Sequence, residues 1–157
     1  MDKLLKLLDT NARLTVAQLA AMLNTTEADV EQKMTKLEQD GVIRAYKTLI
    51  DWERTEREYV TAVIELRVTP KRDYGFEGIA ETVMRFDEVE SVYLMSGGYD
   101  LLVTVTGRTF KEVSMFVAKR LSTLDSVIST ATHFVLRRYK DSGVMFLGEH
   151  KDERGAY

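Results

Sequence analysis

The chain has 157 residues, 45% of them hydrophobic and 30% charged, with a formal net charge of −3. This composition suits one medium or two small folded domains, and it lacks the strongly basic balance that marks many nucleic-acid binders. The absence of cysteine excludes disulfides and thiolate metal sites and fits a reducing cytoplasm.

No apolar run approaches the roughly 18 residues of a membrane helix, so no membrane partner is expected. The first stretch already carries Asp2, Lys3, Lys6, Asp9 and Arg13, which is unlike a signal peptide. "DKLLKLL" then places Leu4, Leu5, Leu7 and Leu8 on one broad apolar face. At "TVAQLAAML", Thr15 and Gln18 have the spacing of a capping box. Val16, Leu19, Ala20 and Leu23 follow at helical intervals. A polar turn, "NTT", separates this helix from the next. Thr26 and Asp29 repeat the capping pattern there, and Val30, Met34 and Leu37 mark the buried face. Gly41 ends the helix in the usual C-terminal manner. "VIRAYKTLI" is β-prone, suited to a wing or a linker strand, and the charged, aperiodic "DWERTERE" at 51–58 reads as a domain boundary.

Beyond it the pattern changes. "YVTAVIELRV" (59–68) alternates and is rich in β-branched residues, as a strand does, and Pro70 closes it. "FEGIAETVMRF" (76–86) is helical, with Phe76, Ile79, Ala80 and Val83 on one face. "VESVYLM" (89–95) and "DLLVTVTG" (100–107) read as hairpin strands around "SGGY". Thr109 and Glu112 cap a second helix, "VSMFVAKRL", and "STATHFVLRRY" (129–139) alternates again. The order β-α-β-β-α-β predicts a ferredoxin-like fold. Its sheet has helices on one face only, and alternation is expected to leave an apolar face that a partner subunit would cover. Residues 148–157 read as a solvated tail.

Gly97 and Gly98 suit the positive φ angles of a tight hairpin, and the bland reading is a turn and nothing more. The functional reading is that glycine N–H groups can hold a carboxylate while Asp100 accepts from an ammonium group, and a free amino acid carries both. His133 is alone on its strand with no cysteine or second histidine nearby, so a satisfied or exposed histidine is expected rather than a metal ligand. No arrangement suggests nucleophilic catalysis, and no phosphate-binding loop suggests a nucleotide. No cofactor is expected. Met34, Met84, Met95 and Met115 are read as packing residues.

The ordered combination of "LTVAQLAAMLNTTEADVEQKMTKLEQDGVIRAY", "TAVIELRV", "SVYLMSGGYDLLVTVTG" and "STATHFVLRRYK" resembles the Lrp/AsnC family of transcription regulators over nearly the whole chain. The resemblance implies a winged helix-turn-helix domain, then a ferredoxin-like effector domain, together an α+β chain. The expected boundaries are 1–50 for DNA binding, 51–58 for the linker, 59–147 for ligand sensing and oligomerisation, and 148–157 for the tail. It also implies double-stranded DNA and an amino acid or similar molecule as partners, and homodimers assembling into octamers. In the family, the loop matching Gly98, Tyr99 and Asp100 lies at the effector site between dimers. Thr130 and Thr132 lie in the segment matching its other wall. Where the family tends to carry arginines on its reading helix, this chain has Glu31 and Gln32, while Lys33 and Lys36 stay basic.

A reading helix that opens with Glu27, Asp29 and Glu31 needs an explanation, because DNA is a polyanion. At about 100° per residue, the stripe opposite Val30, Met34 and Leu37 is Ala28, Gln32, Thr35 and Gln39, with Lys36 near its edge. Glu31 and Asp29 fall on the flanks and Glu27 nearer the buried side, and acids in a first turn suit the helix dipole. Gln32 can pair with an adenine edge, and Thr35 with a thymine methyl or a phosphate. Lys33, Lys36, Arg44 and Lys47 are the candidate phosphate contacts, with Arg13 a further one. Residues 1–54 hold eight basic and nine acidic residues, so a single copy is expected to bind weakly and to need avidity.

The function expected is a sequence-specific DNA-binding transcriptional regulator whose oligomer responds to an amino acid or related molecule. It is not expected to be an enzyme. The alternatives are an amino-acid-sensing module that no longer recognises DNA and a small ferredoxin-like dimeric enzyme. Salt-dependent retention on DNA separates the first two.

Overall fold

The computed structural model describes residues 2–70, 72 and 74–146; the expected tail and His150 lie outside the described residues. The chain divides into two units, residues 1–50 and 51–157.

Three helices make the first unit: α1 (Asp2–Thr10), α2 (Val16–Leu23) and α3 (Glu27–Gln39). The box at α2 is reciprocal. The Gln18 N–H donates to Thr15 Oγ1 at 3.2 Å, and the Thr15 N–H donates to Gln18 Oε1 at 2.9 Å. The box expected at α3 closes on one side only. The Asp29 N–H donates to Thr26 Oγ1 at 3.2 Å, but the Asp29 carboxylate turns to the Thr25 hydroxyl at 2.7 Å and the Lys33 ammonium at 2.6 Å. An aspartate is one methylene shorter than the glutamate of a full box and finds nearer donors. Between the helices Asn24 adopts a left-handed conformation, φ 52, which asparagine tolerates better than most residues.

Leu4, Leu8, Leu19, Ala20, Val30 and Leu37 form the core of this unit, with Met34 partly buried against it. Each fully buried leucine contributes about 1.5–3 kcal/mol. Gly41, at φ 67, follows α3, and the N–H groups of Val42 and Ile43 both reach the Leu37 carbonyl. "VIRAYKTLI" then joins no ladder among the described residues. Its β propensity finds no neighbouring strand among the described residues, and a lone strand leaves its backbone groups unpaired.

The segment 51–58 groups with the second unit. Asp51 caps a 3-10 turn at Trp52–Arg54. The Trp52 ring lies 5.7 Å from that of Tyr59, and the Arg57 guanidinium sits 4.7 Å over the indole. The elements that follow are β1 (Val60–Val68), α4 (Glu77–Val83), β2 (Val89–Leu94), β3 (Leu101–Gly107), α5 (Phe110–Phe116, running into a π turn at Val117–Leu121) and β4 (Val127–Phe134). The sheet is antiparallel in the order β2-β3-β1-β4, the ferredoxin-like arrangement.

Alternation sorts the two faces. Ala62, Ile64, Leu66 and Val68 of β1 and Leu101, Val103 and Val105 of β3 bury against Ile79, Val83, Val113 and Phe116. The opposite face carries Thr61, Val63, Glu65 and Arg67, with Leu102 and Thr104. It was expected to be apolar, yet it is mixed: His133 Nε2 sits 3.3 Å from a Glu65 oxygen, with the histidine exposed and the glutamate half-buried. β4 ends at Phe134, short of the alternation that runs to 139. A small hairpin follows, β5 (Lys140–Asp141) and β6 (Val144–Met145), turning through Ser142 at φ 47 and Gly143 at φ 82.

Candidate functional site

The first set of candidates sits on α3. Val30 and Leu37 are buried, Met34 and Asp29 are half-buried, and Ala28, Glu31, Gln32, Lys33, Thr35, Lys36 and Gln39 are exposed. Gln32, Thr35 and Lys36 therefore lie on the exposed side of the helix, flanked by Asp29 and Glu31. Glu27, in the first turn of the helix, is exposed.

The acids are used locally. Asp29 is held below the ordinary carboxylate range, first by the hydrogen bond from Lys33 and then by that from Thr25. Lys33 is thereby tied to its own helix at 2.6 Å, and its charge is partly spent before any phosphate arrives. Glu38 accepts from the Tyr46 hydroxyl at 2.8 Å; partial burial and this neighbour raise the tyrosine above its usual range. The Arg44 guanidinium lies beside Gly41, past the C-terminal end of α3, where a cation suits the helix dipole. Lys47 is exposed in the segment after it.

The second set surrounds the β2–β3 turn. The Met95 N–H donates to the Asp100 carbonyl at 2.8 Å and closes it. Of the two glycines only Gly97 has a positive φ, 140. A Cβ on Gly98 would meet nothing within 4 Å. A Cβ on Gly97 would also meet nothing, so the two glycines differ in backbone angle alone: Gly97 carries the positive φ of the turn and Gly98 does not. Among the described residues no acceptor meets the N–H groups of Gly97, Gly98 or Tyr99.

Asp100 is half-buried and pinned to β1. Its N–H donates to the Leu66 carbonyl at 2.9 Å, and its Oδ2 accepts from the Val68 N–H at 2.8 Å. That amide faces the β3 side just past the last β1–β3 pair, Leu66 with Leu101, so the carboxylate satisfies a donor that the ladder leaves over. Arg67, absent from the sequence-derived candidates, donates from Nε to the Gly98 carbonyl at 2.9 Å. The signal was there: in "TAVIELRV" it is the last outward-facing residue of the strand, level with the end of the turn.

Thr130 and Thr132 are placed differently. They lie on β4, where they pair with Leu66 and Ile64 of β1 on the helix-covered side, and Thr130 Oγ1 lies 3.4 Å from Ser122 Oγ. β1 stands between them and the turn, so one chain does not bring the two groups together. A cavity of about 550 Å³ opens at the other end of the sheet, lined by Thr61, Val63, Glu90, Thr104 and Arg137 among others, and none of the sequence-derived candidates borders it.

Comparison with known proteins agrees with this architecture. The family model described as the Lrp/AsnC ligand binding domain matches residues 61–145, and that of a winged helix-turn-helix DNA-binding domain matches 3–44. The chain is 46% identical over 153 residues to the uncharacterized HTH-type transcriptional regulator YugG of Bacillus subtilis, covering 97% of this chain and 92% of that one. It is 28% identical over 131 residues to the regulatory protein AsnC of Haemophilus influenzae, 83% and 85% of the two chains. Among solved structures, a transcriptional regulator of Neisseria meningitidis in complex with L-methionine superposes with a TM-score of 0.73 at 26% identity, over 88% and 89% of the chains. Among the described residues no helix is long and apolar enough to cross a membrane. The winged helix-turn-helix at one end and the ligand-binding sheet at the other make this chain a member of the Lrp/AsnC family of DNA-binding transcriptional regulators.

Proposed function

We propose that this regulator reads DNA with the outward stripe of α3 and senses an amino acid at the turn Gly97–Asp100. The observation that carries the first half is the exposure of Gln32, Thr35 and Lys36 on a helix whose opposite side is buried. Gln32 reads an adenine edge, Thr35 meets a thymine methyl or phosphate, and Lys36, Arg44 and Lys47 hold phosphates. Lys33 contributes less than Lys36, because Asp29 already holds it. Residues 1–50 form the DNA-binding domain and 59–147 the sensing and oligomerising one.

The amino-acid reading draws on the relative solved with L-methionine and on the free N–H groups at the turn. Thr130 and Thr132 complete the site from another chain, which accounts for their separation from the turn within one. The protein acts in the cytoplasm as homodimers that assemble further, to octamers, with the uncovered sheet face as a subunit contact.

Fluorescence anisotropy on DNA from the protein's own promoter region, across a salt series, tests the DNA assignment. Lys36→Ala should weaken binding to all sequences alike and reduce the salt slope by about one, whereas Gln32→Ala should lose roughly 1–3 kcal/mol at preferred sites alone. Wild-type binding by both variants would reject the assignment of the stripe.

A further inference from the structure

We infer that Arg67 is the carboxylate-binding residue of the effector site, the cation that the turn itself lacks. This rests on the reading of Gly97–Asp100 as the effector turn and deepens it. A free amino acid brings two charges, and removing either from water without a partner is unfavourable. "MSGGYD", the whole connection between β2 and β3, contains one charged residue, Asp100. It offers an acid for the ammonium and N–H dipoles for the carboxylate, but no positive charge.

Arg67 supplies it from the neighbouring strand. Its Nε donates to the Gly98 carbonyl at 2.9 Å, which fixes the guanidinium against the turn. A guanidinium has five N–H donors in one plane, and Nε uses one, leaving both terminal nitrogens for a second acceptor. Among the described residues Arg67 has no acid partner, and its side chain is exposed. A planar fork that grips the turn with one prong and a carboxylate with the others is something arginine does and lysine does not.

The competing role for Arg67 is to brace the turn. Calorimetry on the full-length protein separates the two. The standard L-amino acids are titrated, and the tightest binder is then compared with its own amide, which keeps the ammonium and loses the carboxylate charge. Wild type should prefer the acid. Arg67→Ala should bind the acid about ten- to a hundredfold more weakly, the worth of a charge-assisted pair, and bind the amide as wild type does. Arg67→Gln can still donate to Gly98 but carries no charge, and it should lose the preference too, while Arg67→Lys should keep part of it. Thermal unfolding of each variant checks that the domain is intact. Equal losses for acid and amide would make Arg67 a brace and overturn the inference. Unchanged affinity in Arg67→Ala, with binding lost in Asp100→Asn, would also overturn it while leaving the turn as the effector site. If no amino acid binds wild type at millimolar concentration, both readings fall.

Discussion

Replacing Asp100 by alanine should destabilise the second unit whether or not any effector binds there. The carboxylate accepts the Val68 N–H at 2.8 Å, and Val68 is 4% exposed. Alanine leaves that donor without a partner at the end of the β1–β3 ladder, where no carbonyl replaces it. An unsatisfied buried donor costs about 1–3 kcal/mol, and a domain of this size loses roughly 4–8 °C per kcal/mol. Together these put the transition of the second unit about 4–24 °C lower. Asp100→Asn keeps an oxygen that can accept the same N–H and removes only the charge, so its transition should stay within a few degrees of wild type. Differential scanning calorimetry at fixed protein concentration reads both, fixed because assembly shifts apparent stability. An Asp100→Ala protein as stable as wild type would refute the view that Asp100 pins the turn to β1. The pair of variants also keeps sensing separate from folding, since loss of response in the alanine variant alone would have two explanations.

Gly97→Ala should lower stability by about 1–2 kcal/mol, since an alanine at φ 140 is strained. Gly98→Ala should unfold as wild type does, because its Cβ would enter open space; chemical denaturation of the two compares them directly. Glu31→Arg should tighten binding to all DNA without a new sequence preference, seen as a steeper salt slope in the anisotropy series; a changed preference would place Glu31 on the reading stripe. Asp29 titrates lower in the folded chain than in the unfolded one. Its contribution is therefore present above the unfolded-state pKa and lost as the pH falls through the folded one. The stability gap between wild type and Asp29→Asn should accordingly close on acidification through the carboxylate range, and a gap that stays constant with pH would show that the Lys33 and Thr25 contacts do not matter in solution.

Much of the fold was legible because the chain states it locally. Thr15 and Gln18 cap a helix by spacing alone, and the alternation in "TAVIELRV" assigns Ile64 and Leu66 to the core and Glu65 and Arg67 to the open face without any coordinates. What stayed hidden depended on partners distant in sequence or on competition among near ones. The bond from Val68 to Asp100 ties β1 to the turn beyond the last β1–β3 pair, which no periodicity announces. The choice of Asp29 between closing a box and holding Lys33 is decided by side-chain length and by which donors are close. The difference between Gly97 and Gly98 lies in one backbone angle. "DSG" at Asp141–Gly143 did carry a turn signal, and it was masked by the alternation that precedes it.

The strand order has a consequence for how the protein is made. In the first unit every buried residue is supplied within the first 50 positions, so it can close soon after those residues leave the ribosome. The central strand of the second unit waits longer. Ala62 meets Val105 on one side and Phe134 on the other, and pairings so far apart in sequence form slowly. Between the synthesis of β3 and that of β4, β1 is an uncovered strand of alternating apolar residues. During that interval two nascent copies on one messenger could pair edge to edge. Synthesis of residues 127–134 ends the hazard, which makes the stretch just upstream of them the place where slow translation would do most harm.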